Sequence, residues 1–333
     1  MYATTLLSLL ALASASAPAP GDAAPSVKVA KDHIDFLIGK DLVTRYYTGE
    51  DVAKPYFWPL NAPGGVPLTR AWPMDQNAKE TTDHVHQKSA WFCHGDVIPE
   101  GVEVKDKIKG ITGVDFWSEA PGHGVIACVE AGEPKAGKNH AWITTRNEWR
   151  TADKVKILDE TRTIHLYDLE GSRLLVLDID LHATVCPITF GDTKEGSFGV
   201  RVRDAVTEAK GKGKLENAEG KIGEKEVWGR QSNWCDYSGT IDGKTFGLTL
   251  MDDPGNPYRA CWHSRGYGLS AANPFGRAGS GFPAMADHKD LVRIEKRGHL
   301  KFRYGLLLHT GDAKDGKVEE LFEKFLKLRK GDG

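Results

Sequence analysis

Leu175-Val176-Leu177-Asp178-Ile179-Asp180-Leu181-His182-Ala183-Thr184 settles from Leu177 onward into strict alternation of apolar and polar side chains. Successive side chains of a strand point to opposite faces. Leu175, Leu177, Ile179, Leu181 and Ala183 therefore share a buried face, and Asp178, Asp180, His182 and Thr184 share one open to solvent or to a ligand. The preceding run, Val155 to Tyr167, joins this strand through Glu170-Gly171-Ser172. A second hairpin is expected at Asp242-Gly243, since Asp-Gly suits a type I′ turn. A third pair is expected to flank Arg297-Gly298, with Leu300, Phe302, Tyr304, Leu306 and Leu308 on one face. Recurrent hairpins predict an all-β chain folded as a large antiparallel β-sandwich. One amphipathic helix is expected, from Val318 to Leu328, where Val318, Leu321, Phe322, Phe325 and Leu326 recur at three- and four-residue spacing. Thr207 to Glu226, rich in Lys, Glu and Gly, reads as a solvated excursion.

The 333 residues carry 44 Lys+Arg against 46 Asp+Glu, a formal charge of -2. That balance lacks the positive excess which draws a protein to phosphate backbones, so no nucleic-acid partner is expected. Leu6 to Ala17 has the short apolar core and small-residue end of a secretory signal, with Ala-Ser-Ala cleavage sequences at Ala13 and Ala15. Residues 1–24 are therefore read as signal and leader, and residues 25–333 as one β-sandwich domain, exported to the periplasm or the medium. No later stretch approaches the length of a membrane-spanning helix. Cys93, Cys128, Cys186, Cys235 and Cys261 are irregularly spaced and read mostly as small buried apolar residues, with room for one disulfide after export.

Four segments concentrate chemistry. Asp83-His84-Val85-His86-Gln87-Lys88 continues through Trp91-Phe92-Cys93-His94-Gly95-Asp96. If its first part is extended, His84, His86 and Lys88 share a face. Two imidazoles so placed can hold a divalent metal ion or hydrogen-bond a ligand's hydroxyls; no third or fourth ligand closes a metal set. Phe190 to Arg201 brings Asp192, Glu195 and Arg201 near one strand end, either as a site or as a turn with surface ion pairs. Trp228 to Tyr237 contributes Arg230 and Trp234, and Trp262 to Phe275 contributes Trp262, His263, Arg265, Tyr267 and Asn273. Aromatic faces stack on sugar C–H faces while Arg, His and Asn bond hydroxyls, so this mixture suits a carbohydrate.

These strings, together with Lys54-Pro55-Tyr56-Phe57-Trp58-Pro59-Leu60, Gly113-Val114-Asp115-Phe116-Trp117 and His309-Thr310-Gly311-Asp312, resemble a PmoA-like family of exported bacterial proteins from about Lys54 to Asp312. The resemblance implies a supersandwich similar to galactose mutarotase-like proteins. The methane-oxygenase activity in that family's label is set aside, because such an enzyme needs spanning helices that this sequence lacks. Gln87 stands where many members carry a further histidine.

The expected function is that of an exported carbohydrate-active enzyme using acid-base chemistry on a sugar, as a lyase, epimerase or hydrolase. His84, His86, His94 and His263 are its candidate proton-transfer imidazoles, and Asp96, Asp192 and Glu195 its candidate carboxylates. Arg201, Arg230, Trp234, Trp262, Arg265, Tyr267 and Asn273 are the candidate substrate-binding residues. The alternative is a non-catalytic glycan-binding protein of the cell envelope. The four histidines are expected to converge on one pocket.

Overall fold

The structure, a computed structural model, describes residues 24–169 and 171–328. The expected signal and leader, apart from Ala24, lie outside the described residues. Two large antiparallel sheets face one another. The first runs in the order Pro25–Val29, His33–Ile38, Asp41–Tyr47, Tyr56–Ala62, Ala90–His94, Gly196–Arg201, Leu269–Asn273, Cys261–Trp262. The second runs Lys214–Asn217, Trp234–Ile241, Lys244–Asp252, His299–Thr310, Ser172–His182, Lys156–Leu169, His140–Arg150, Val125–Ala131. A small third sheet joins Val292–Ile294, Ile188–Phe190 and Val97–Pro99.

The alternation read from Leu175 to Thr184 has the expected consequence: Leu175, Leu177, Ile179 and Leu181 are buried in the core between the sheets, as are Leu300, Phe302, Tyr304, Leu306 and Leu308. Leu169 pairs with Ser172 across the first expected hairpin. Ile241 pairs with Lys244 across the second, whose Asp242 and Gly243 take the positive φ values, 49° and 79°, that a type I′ turn requires. The third is corrected. Arg297-Gly298 does make a turn, but Val292–Ile294 pairs with Ile188–Phe190 rather than with His299–Thr310. The helix forms at Val318–Lys327 and lays Val318, Phe322 and Phe325 on the outer face of the second sheet, over Leu174, Val176, Met251 and Leu307. The Thr207–Glu226 stretch is more ordered than its composition implies. Its Lys214–Asn217 closes one edge of the second sheet, because the single apolar Leu215 is buried there.

Strand register in the first sheet positions the site. Phe92, Phe198, Ala272 and Trp262 are cross-strand partners and face the core. Their neighbours Trp91, Gly199 and Ala271 form the next row, and Ala271 exchanges both backbone hydrogen bonds with His263. With a side-chain period of two, that second row lies on the other face of the sheet, where Trp91 and Ala271 are buried as well. A Cβ at Gly199 would lie 2.9 Å from Trp91 Cζ2 and 3.3 Å from Trp117 Cη2, so glycine there lets both indoles lie down on the sheet.

Candidate functional site

Over this outer row lies a pocket of about 360 Å³ lined by His84, His86, Glu195, His263, Arg265 and Tyr267 from the expected set, with Gln87, Asp115, Trp117 and Lys194 beside them. The loop carrying His84 and His86 is not extended. His84 adopts φ 44° and Gln87 N–H closes a turn onto the His84 carbonyl. The turn still brings both rings to the pocket, 5.7 Å apart and edge-to-face. Lys88 instead points to Glu119, 2.7 Å away. Among the described residues no group of three or more His, Cys, Asp or Glu side chains is placed to hold a metal ion.

Buried Arg70 fixes this loop. Its guanidinium donates to the carbonyls of Thr81, Asp83, His84 and Gln87 and to Asp83 Oδ1. Arg201, also buried, donates to the same Asp83 oxygen at 2.7 Å and to Gln87 Oε1 at 2.6 Å, and its guanidinium lies over the Tyr267 ring. Arg201 is thus a brace behind the pocket. Burial resists ionisation of Asp83, but Arg201, His84 and Arg70 outweigh it and hold its carboxyl below the usual range. On the opposite wall, Asp115 accepts from Trp117 N–H, Ser118 N–H and the Ser118 hydroxyl. Buried Lys54 donates to the Trp117 carbonyl and to Glu119. The wall at Arg265 is pinned by Tyr237, whose hydroxyl donates to the Arg265 carbonyl, and by Glu224, 2.9 Å from Arg265 Nε.

The electrostatics follow from this enclosure. Burial, helped by Lys54 and His84, pushes His86 down to about 4. Burial with Arg265 and Lys194 pushes His263 down to about 3. Both rings are therefore neutral at neutral pH, where each offers one donor and one acceptor. Glu195 moves the other way: burial raises its carboxyl, with Lys194 opposing. The indole N–H of Trp117 is buried without a hydrogen-bond partner among the described residues. Buried polar atoms normally have a partner, and a ligand or water in the pocket would supply one.

The remaining expected residues lie elsewhere, each for a local reason. His94 is fully buried at a strand end, its Nε2 2.9 Å from the Gly191 carbonyl and its ring edge-on to Phe275. Asp96 accepts from Gly113 N–H and braces the loop leading to Asp115. Asp192 accepts from the backbone N–H groups of Arg277, Gly279 and Ser280. Arg230 is exposed and bonded to the Glu226 carbonyl. Trp234 packs under the C-terminal helix with its N–H on Glu319. Trp262, the last residue of its strand, faces the core opposite Ala272, and its N–H meets the Ser232 carbonyl. Asn273 caps Phe275 and Gly276. Sequence reasoning missed Asp115 and Trp117 as pocket residues; the signal was the Asp two positions before Trp, a spacing that makes a side-chain-capped turn. All five cysteines are free, and all but Cys128 are buried.

A larger pocket, about 440 Å³, opens beside the C-terminal helix and is lined by Trp142, Tyr167, Asp168 and Lys324 among others. It gathers fewer of the acid and base groups than the pocket at His263.

The sequence pattern of one family matches residues 33–323. The chain belongs to the family of unknown function DUF6807. Among curated proteins none matches it. Solved structures similar to this DUF6807 chain include a galactose mutarotase-like protein from Clostridium acetobutylicum, at 8% identity and TM-score 0.41, covering 87% of this chain and 99% of that one. A galactose 1-epimerase from Lactobacillus acidophilus is similar at 8% identity and TM-score 0.38, over 85% of this chain and 96% of that one. An α-galactosidase from Lactobacillus brevis is similar at 8% identity and TM-score 0.40; the match covers 87% of this chain but only 39% of that enzyme's length. No helix among the described residues is long and apolar enough to cross a membrane.

Proposed function

We infer that this DUF6807 chain is a carbohydrate-active enzyme that moves a proton on a sugar bound in the His263 pocket. The observation that carries the reading is the meeting of Glu195, His86 and His263 in one pocket with the aromatic rings of Trp117 and Tyr267, from separated parts of the chain. A sugar needs apolar surface to pack on and neutral donors and acceptors for its hydroxyls; the Trp117 indole and the His84–Tyr267 stack that line the pocket supply the first and the neutral imidazoles the second. Glu195 is the proton-transfer group, because burial shifts its carboxyl toward the range in which an acid can both give and take a proton near neutral pH. His84, at the pocket rim beside Asp83, closes over the ligand. Export to the periplasm or medium belongs to the same proposal and rests on the leader pattern of residues 1–24 and on the likeness to PmoA-like exported proteins.

The test is incubation of the purified chain with mono- and oligosaccharides in D2O. Products are followed by mass spectrometry, and deuterium at sugar carbons and anomeric exchange by NMR. Cleavage, elimination, deuterium incorporation or accelerated epimerisation supports the reading and names the reaction. Saturable sugar binding without any of these outcomes assigns the pocket to a glycan-binding protein instead.

A further inference from the structure

We propose that the ligand of this pocket is an anionic sugar, a hexuronate or a glycan unit bearing one, whose carboxylate lies against Lys194 and Arg265. This rests on the sugar-site reading and adds the ligand's charge. Two cations, Lys194 and Arg265, line the pocket together with Asp115 and Glu195. Behind its walls Lys54, Arg70, Lys88 and Arg201 stand against Asp83, Glu119 and Glu224.

The carboxylates are already engaged. Asp83 is held between Arg70 and Arg201, Glu119 between Lys54 and Lys88, and both oxygens of Asp115 accept from its own loop. Glu195 is the one that burial disfavours as an anion. The cations facing the pocket are less engaged. Lys194 is exposed at the rim and has no ion pair among the described residues, while Arg265 comes nearest to Glu224 at Nε, 2.9 Å away. A guanidinium that spends one edge on Glu224 keeps terminal N–H donors for a second carboxylate, and an ammonium beside it completes a charged seat. These cations also reach the imidazoles: Arg265 and Lys194 both disfavour a proton on His263, and Lys54 does so on His86. A ligand carboxylate against Lys194 and Arg265 would gain charge-assisted hydrogen bonds that are about twice as strong as those of a neutral hydroxyl.

The experiment is isothermal titration of the full chain with D-glucuronate, D-galacturonate, D-glucose and D-galactose, at low and at high NaCl, repeated on Lys194→Met and Arg265→Lys. Each uronate is expected to bind at least tenfold more tightly than its neutral parent, with the advantage shrinking as salt screens the pair. Lys194→Met, at an exposed site, is expected to keep the circular-dichroism spectrum of the parent and to erase most of that advantage. Arg265→Lys, which keeps the charge but loses the fork, should reduce it several-fold. Neutral sugars binding as tightly as their acids, or a preference untouched by Lys194→Met, overturns the anionic assignment and leaves the sugar site standing. Binding of none of the four by the folded chain overturns the sugar reading itself, and this inference with it.

Discussion

The guanidinium carbon of Arg201 lies 4.5 Å from the centre of the Tyr267 ring, and His84 stacks on that same ring with centroids 5.3 Å apart. Three separated segments thus meet in one stack, and Tyr267 couples the position of His84 to the strand Gly196–Arg201. Replacing Tyr267 by Leu removes both aromatic contacts. It is expected to lower stability by about 1–2 kcal/mol in urea unfolding and to weaken sugar binding, whereas Tyr267→Phe keeps the stack and should leave stability within about 0.5 kcal/mol. Equal effects of the two changes would show that the hydroxyl, not the ring, matters.

Glu195→Gln copies the neutral carboxyl in shape but can neither give nor take a proton. Turnover should fall by about 10² to 10⁴ while the sugar still binds. The fold itself prefers the protonated acid. The contribution of Glu195 to stability is therefore full below its unfolded value near 4.5 and is lost as pH rises through its raised folded value. Glu195→Gln should accordingly gain melting temperature relative to the parent at pH 7 but not at pH 4. A parent and variant that differ equally at both pH values would contradict the burial effect.

His86, His94 and His263 have the opposite sign. Each is held below its ordinary value of 6.5, to about 4, about 4 and about 3, chiefly by burial. The stability they confer is present above pH 6.5 and drains away as pH falls toward 4, because the unfolded chain takes up protons that the native one refuses. For fully buried His94 the loss amounts to roughly 3 kcal/mol at about 1.4 kcal/mol per unit. Thermal melts between pH 7 and 5 should slope downward before most carboxylates titrate, and His94→Leu should flatten that slope whatever it does to the absolute melting point. An unchanged slope in the variant would exclude His94 as a source.

Arg70 holds four carbonyls of the loop that bears His84 and His86. Lysine at this position keeps the charge yet cannot span them. Arg70→Lys is expected to destabilise by about 2–4 kcal/mol, since it leaves several carbonyls around a buried cation without their donor. In ¹H–¹⁵N spectra the largest shifts should fall in residues 81–88. Shifts confined to the neighbourhood of residue 70 would refute the clamp.

At Gly199 a methyl group would press on Trp91 and Trp117. Gly199→Ala should cost about 1–3 kcal/mol by overpacking and change tryptophan fluorescence. A neutral effect would mean that the indoles can move aside.

The legible part of the fold was periodicity. Leu175 to Thr184 and Leu300 to Leu308 alternate because one face meets the core, and the helix at Val318 shows its stripe because one face meets a sheet. The Arg297-Gly298 strand pair was misjudged because a turn signal does not say which strand the chain leaves from. The site was legible as far as composition goes, in His84, His86, Glu195, His263, Arg265 and Tyr267. It was obscured where a polar side chain serves the backbone: Asp96, Asp192 and Asn273 spend their oxygens on N–H groups, and no residue type distinguishes a loop brace from a catalytic acid. Trp262 and His263 make the same point at adjacent positions, one inward and one outward, which only register decides.

That register has an evolutionary consequence. Trp91, Gly199, Ala271 and His263 are aligned across strands rather than along one, so their mutual spacing is set by the hydrogen bonding that holds neighbouring strands about 4.8 Å apart and not by any connecting loop. Loops between these strands can gain or lose residues without altering the row. A single-residue deletion inside Gly196–Arg201 cannot be absorbed in that way: it would carry Phe198 or Val200 out to the ligand and Gly199 into the core. Relatives that diverge in what they bind should therefore differ in length at the loops around residues 81–89, 111–119 and 193–195, and keep the strand lengths beneath them unchanged.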